Sequence, residues 1–286
     1  MDRIEPTLGD DDIASPRRDY ATRVPSRKPI PVGALVVFVV AIVGGAAYYF
    51  WPRETPPPPA STPAVATPAA PPKAEAEGPK YPVTVDSAPP LPSLKESDGP
   101  VAAAISTIIG LDAFARTLLT ENLVRNIVAT VDNLPSEAVS RRINPVRPVP
   151  GVPTTSGKDD TLTLAPSNST RYAFYMRVME STDTNALVAF YRRHYPLFQE
   201  AYVELGYPNK YFNDRLVAVL DHLLATPDTS GPIMLRQPKV LLEYADPTLE
   251  ERSAGQKILL RIGKENRDKV KVKLREIRAA VASDRP

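Results

Sequence analysis

Among side chains able to do chemistry, this 286-residue chain has two histidines, His194 and His222, and no cysteine. A catalytic zinc needs about three ligands from His, Cys, Asp or Glu at close spacing. The two histidines fall on different expected helices and no HExxH pattern occurs, so neither a metal site nor a cofactor is expected. Thiol nucleophiles and disulfides are excluded by composition. Glycine-rich phosphate loops of the GxGxxG and GxxxxGK(S/T) kinds are absent, as is the nucleophile elbow GxSxG. A carboxylate pair can hydrolyse a glycan, and Glu180, Glu200 and Glu204 lie among tyrosines. Glu200 and Glu204 nevertheless fall on the polar side of their helix, where solvated glutamates belong. No catalytic residue is assigned.

The most polar features beside the aromatic cluster are Asn213-Asp214-Arg215 and Asp221-His222. One reading places Asp214, Arg215 and His222 in a partner-binding groove with Tyr195, Tyr207 and Tyr211, and Tyr191 and Tyr202 nearby, because large rigid rings dominate interface energetics. The ordinary reading, preferred here, has Asp214 and Arg215 hydrogen-bonding within the fold. They would fix the turn from Gly206 to Tyr211 against the strap formed by residues 141–153, and the tyrosines would be core residues with paired hydroxyls. Exposure of the rings separates the two readings.

The positioning elements read as helices. Pro100 sits in the first turn of one that carries Val101, Ile105, Ile108 and Ile109 and stops at Gly110. A short one follows with Leu111, Phe114, Leu118 and Leu119. Thr120 is the expected cap of a third, built on Leu123, Ile127 and Val131. The loop Arg141 to Pro153 is too proline-rich for regular structure and too apolar to hang free, so it reads as a strap. The strap is expected to close over the helices around Pro196. Arg171 to Met179 reads as one helix. A longer helix after Asp183 carries the apolar stripe from Leu187 to Leu205, with Pro196 expected to kink or split it, and Gly206 and Pro208 ending it. Further helices are expected from about Asn209 to Ala225, Asp246 to Ile262 and Lys264 to Val281. The short apolar runs 233–235 and 240–242 read as brief strands, either of which could pair with 162–164, although runs this short do not decide between strand and buried helix. The basic residues Lys269, Lys271, Lys273, Arg275 and Arg278 read as a solvated helix face. Charge over these helices is nearly balanced, whereas a nucleic-acid domain shows a clear basic excess, so no nucleic-acid partner is expected.

Upstream, residues 30–51 read IPVGALVVFVVAIVGGAAYYFW without a charge, long enough for a helix to cross the bilayer. Arg17, Arg18, Arg23, Arg27 and Lys28 precede this run and only Arg53 follows it closely, which puts the N-terminus in the cytoplasm. The run is too long for a cleavable signal. Residues 1–29 lack apolar periodicity and read as a disordered cytoplasmic tail. Residues 52–92 form a proline- and alanine-rich extended linker. Residues 93–282 form the payload domain. Ala41 and Gly45 make a small-xxx-small pair, which leaves weak self-association through the span open.

The words TVDNLP (130–135), PVRPVPG (145–151), YPLFQEAYVELGYPNKYFNDRL (195–216) and SAGQKILLRIG (253–263) resemble a Gram-negative bacterial membrane-anchored family catalogued as a domain of unknown function, DUF 3014. The resemblance covers roughly 92–281. It implies a single-span, proline-tethered envelope protein and carries no catalytic site. The expectation is therefore mainly α: a single N-terminal transmembrane helix, a proline-rich linker, and one multi-helix periplasmic domain with at most a few short strands, held at the bacterial inner membrane. Such a domain suits a binding or scaffolding module for an envelope protein or peptidoglycan partner. An enzyme acting on envelope material such as peptidoglycan is the alternative.

Overall fold

The structure is a computed structural model that describes residues 78–85, 89–229, 231–239 and 241–283. The expected tail 1–29, the span 30–51 and most of the expected linker lie outside the described residues. Among the described residues no single helix is long and apolar enough to cross a membrane.

A 3-10 turn, Leu94–Glu96, leads into α1 (Asp98–Ile109) and α2 (Leu111–Thr117). The two are bent by 118° at Gly110. Apolar spacing on α1 buries Val101, Ile105 and Ile109 as expected, whereas Leu111 at the start of α2 is 77% exposed. Helix α3 (Leu123–Asn133) follows. Its cap is not Thr120. Asn122, in the left-handed region, occupies the cap position, and the free amides of Asn122 and Leu123 are taken by Asp98 Oδ2 and Oδ1, both at 2.7 Å. One carboxylate thus satisfies two orphan donors of a different helix, which no local pattern announces.

The strap is held from both sides. Leu119 N donates to Pro145 O at 2.7 Å, Arg147 N to Thr117 O at 2.9 Å and Thr130 Oγ1 to Ile143 O at 2.7 Å, with Val146 and Val149 buried. These anchors lie at the end of α2 and just past it, on α3, and on Tyr175, whose hydroxyl donates to Arg147 O at 2.9 Å. The strap therefore closes over that end of the fold rather than over the helices around Pro196. Arg147 Nε donates to the Ala115 carbonyl at 3.0 Å.

The expected helix 171–179 is present as α4 (Ala173–Ser181), two residues further on and preceded by a 3-10 segment, Pro166–Tyr172. Helix α5 (Thr184–Glu204) starts at Asp183, whose carboxylate accepts from Asn185 N at 2.7 Å. It runs through Pro196 as one element. Pro196 is exposed, and the helix continues on both sides of it. Helix α6 (Phe212–Leu224) begins three residues later than expected.

The expected helix 246–262 is two pieces, α7 (Pro247–Glu250) and α8 (Ala254–Arg261). Tertiary carbonyls compete for the amides at the break: Ala254 N donates to Ser136 O at 2.8 Å and Gly255 N to Leu134 O at 3.0 Å. A Cβ on Gly255 would stand 2.5 Å from Leu223 Cδ2 and 3.1 Å from the Leu134 carbonyl, so glycine lets α8 approach without displacing the Leu223 methyl. The last helix, α9 (Lys264–Ala282), buries Val270, Leu274, Ile277 and Val281 as its seam suggested.

Strands β1 (Thr155–Ser156), β2 (Thr163–Leu164), β3 (Leu235–Arg236) and β4 (Glu243–Tyr244) form two antiparallel pairs, β1 with β2 and β3 with β4. The pairing of 162–164 with 233–235 is present as an isolated bridge from Thr163 to Met234, with Leu235 N on Leu162 O at 2.8 Å. Helices α5 and α6 pack on each other and are flanked by α3 and α9, around a core that includes Tyr191, Phe198, Tyr202 and Phe212. Tyr81, Val83 and Leu91 pack on that core, so the folded unit takes in residues upstream of the expected boundary at 93.

Candidate functional groove

The site is built at the turn from α5 to α6. Gly206 takes φ +112°, Gly206 N donates to Val203 O at 3.0 Å and Tyr207 N to Tyr202 O at 3.3 Å, the paired bonds of a Schellman ending. Gln199 on α5 pins the far side. Its Nε2 donates to Lys210 O at 2.8 Å, and its Oε1 accepts Phe212 N at 2.8 Å and the Tyr195 hydroxyl at 3.0 Å. A side chain on α5 thereby supplies the cap of α6, since Tyr211 makes no side-chain cap of its own.

Three polar residues in the first turn of α6 then act in different directions. Asn213 is fully buried and fully engaged: Oδ1 accepts the Tyr191 hydroxyl at 3.0 Å, and Nδ2 donates to Tyr81 O at 2.8 Å and Val281 O at 3.0 Å. Asp214 accepts Lys80 N at 3.0 Å and Tyr81 N at 2.9 Å, with the positive end of α6 favouring its charge. Arg215 reaches α3, where Nε donates to Asp132 Oδ1 at 2.7 Å and Nη2 to the Asp132 carbonyl at 2.6 Å. The Tyr207 hydroxyl donates to the other Asp132 oxygen at 3.2 Å. The charge of Asp132 beside it, then the hydrogen bond, raise the Tyr207 phenol above its ordinary value. Tyr202 stacks on Tyr207 with centroids 4.6 Å apart, and burial pushes its phenol up to about 12.

A groove of about 890 Å³ opens over these residues, lined by Gly78, Lys80 and Tyr81 from upstream, Asp132 from α3, and Tyr202, Tyr207, Lys210, Tyr211, Asp214, Arg215 and Asp221. Four of the six expected site residues, Tyr207, Tyr211, Asp214 and Arg215, meet here. Tyr195 does not line it and bonds Gln199, with its phenol raised by burial to about 12. His222 points elsewhere: its Nε2 lies 2.7 Å from Ser253 Oγ, and burial, then Arg215 and Arg252, lower its pKa. Tyr191 and Tyr202 are core, while Tyr195, Tyr207 and Tyr211 are half-buried. The ordinary reading thus holds for Asp214 and Arg215, whose charges are engaged within the fold, with Asp132 on α3 rather than the strap as the anchor of the turn. Sequence reasoning missed Asp132, Gln199 and the upstream residues; Asp132 lies inside the word TVDNLP, which was the one available signal.

The carboxylates do not converge on a free reacting position. Asp132 and Asp214 are occupied as above, and Asp221 takes Arg278 at 2.7 and 3.1 Å. Glu204 takes Arg125 at 2.6 and 3.1 Å, and Glu180 pairs with Lys269 at 2.8 Å. Among the described residues no group of three or more metal-ligating side chains is placed to hold an ion. The groove instead presents the rings of Tyr207 and Tyr211 and the ammonium groups of Lys80 and Lys210, the latter 5.2 Å from the Tyr207 centroid.

Fold and site together define a mainly helical domain with few short strands and a solvent-open groove at a helix-helix turn. A family model described as a protein of unknown function (DUF3014) matches residues 123–278, and the chain belongs to that family. The matched span contains Asp132 and the whole α5–α6 turn. No curated protein and no solved structure matches the chain.

Proposed function

We propose that the chain is a single-pass protein of the bacterial inner membrane, with residues 1–29 in the cytoplasm and 30–51 in the bilayer. Its helical domain is then a periplasmic module that holds an envelope partner. The uninterrupted apolar run and the arginines ahead of it support the topology. Residues 52–77, if fully extended in polyproline conformation, reach roughly 80 Å, which suits a module that must engage something away from the bilayer.

The observation that carries the binding reading is the groove itself. Tether residues 80 and 81 are gripped through their main chain by Asn213 and Asp214, beside the exposed faces of Tyr207 and Tyr211. The tether therefore ends at the groove and supplies part of its wall. Rings flanked by Lys80 and Lys210 suit an acidic polypeptide segment, since aromatic anchors contribute affinity and complementary charge sets register and encounter rate. Hydrolysis of envelope material finds less support, because the nearby carboxylates are each held by a cation or by amides.

Photo-crosslinking from position 211, followed by capture from a bacterial envelope extract, tests the reading. A discrete protein adduct lost on Tyr207→Ala and on Lys210→Glu is the expected outcome. Hydrolysis of purified peptidoglycan by the chain, abolished by Asp214→Asn or Glu180→Gln, would replace binding with catalysis.

A further inference from the structure

Helix α9 carries Arg267 and Lys271 four residues apart, hence on one face. Sequence spacing put Lys271 in solvent, yet Lys271 is 7% exposed and Arg267 is fully buried. Lys271 has an evident partner set. Its Nζ donates to Thr226 O at 2.7 Å, a carbonyl just past the C-terminus of α6, and reaches Asp228 Oδ1 at 3.1 Å. Arg267 has not. Its Nη1 lies 3.4 Å from Thr229 Oγ1, its Nη2 lies 3.5 Å from the Asp228 oxygen already shared with Lys271, and neither Nε nor Nη2 makes a hydrogen bond. The Asp228 side chain is 69% exposed.

Two buried cations thus share one solvent-facing carboxylate. A buried guanidinium with unpaired N–H groups is costly, and its usual complement is a bidentate oxyanion. The two groups without a hydrogen bond, Nε and Nη2, form the planar edge of the guanidinium that matches two oxygens of such an anion. We propose that Arg267 and Lys271 form a binding site for a phosphate-class oxyanion, with Asp228 as the resident carboxylate that the anion displaces. A dianion balances both cations, which Asp228 alone does not. Asp228 is free to leave, since its exposed side chain has water on the outer side.

The full chain in neutral detergent micelles, melted in millimolar phosphate against chloride of equal ionic strength, tests this. At low millimolar concentration the general salting effect of phosphate on burial is small. The expected result is a saturable rise in melting temperature. Asp228→Asn should reach the same rise at about tenfold lower phosphate, a change of about 1.4 kcal/mol in binding, because the competing carboxylate is gone. Arg267→Lys keeps the charge but loses the planar edge, and should abolish most of the rise. Doping the micelles with phosphatidylglycerol in phosphate-free buffer separates sources: a rise there, lost with Arg267→Lys, assigns the site to a lipid headgroup phosphate. Identical melting in chloride, phosphate and doped micelles for both wild type and Asp228→Asn overturns the proposal, as does a rise that Arg267→Lys leaves intact. Should Arg267→Lys fail to fold, the Asp228→Asn comparison decides alone, with an unshifted midpoint counting against.

Discussion

Replacing Asp214 by alanine should release the tether from the domain without unfolding it. The carboxylate takes two amides, Lys80 N at 3.0 Å and Tyr81 N at 2.9 Å. Hydrogen bonds to a charged group contribute about 1.5–3 kcal/mol each. Lys80 is exposed and Tyr81 half-buried, so the freed amides can turn to water and the low end applies, discounted to about 1 kcal/mol apiece. The docked state then loses about 2 kcal/mol, or roughly 30-fold in its population ratio. Hydrogen exchange of a peptide covering residues 78–85, followed by mass spectrometry of the intact chain, reads this directly. Exchange there should accelerate by about that factor while amides of α3 keep their rates. Asp214→Asn, which retains one acceptor oxygen, should fall between. Unchanged exchange at 80 and 81 in the alanine variant would show that Tyr81 and Val83 packing alone holds the segment. Equal acceleration throughout the domain would show that Asp214 supports the fold as a whole.

Arg215→Met removes one bond from a mostly buried Asp132 carboxylate and one from the Asp132 backbone carbonyl and should cost roughly 2–4 kcal/mol by urea unfolding. Adding Asp132→Leu should recover much of that loss, and failure to recover would mean that Arg215 acts apart from Asp132. Asp98→Ala strips the amides of Asn122 and Leu123 of their acceptor and should cost about 1–2 kcal/mol; a cost below about 0.3 kcal/mol would refute the capping role. Burial, ahead of nearby arginines for His222, lowers both His194 and His222. The unfolded chain therefore binds protons more readily, and stability present above about pH 6.5 is lost as pH falls through that value. His194→Gln with His222→Gln should flatten the melting temperature between about pH 7 and pH 5, and a slope unchanged by both substitutions would assign the loss to carboxylates.

Helix α1, the α5 stripe with its stop at Gly206, and the α9 seam were legible because each rests on spacing along one segment. The Gly206 ending is the clearest case, since a left-handed residue followed by proline leaves few alternatives. The turn from Gly206 to Tyr211 and the polar run 213–215 after it were also legible beside the aromatic cluster, and the four expected groove residues came from them. What the sequence could not carry was every decision made by a partner distant along the chain. The cap of α3 comes from Asp98 and the cap of α6 from Gln199. The break between α7 and α8 comes from carbonyls at 134 and 136, where local propensity alone ran a single helix from 246 to 262. Arg215 and Tyr207 find Asp132, some eighty residues upstream, only because α3 packs against α5 and α6. Charge misled most on α9, where Lys271 read as solvated and is buried under Thr226 and Asp228, with Arg267 buried one turn before it. A charged residue announces only the cost of burying it. Whether a second segment covers it is settled by packing, because hydrogen bonds and ion pairs between distant segments depend on distances that sequence order does not encode.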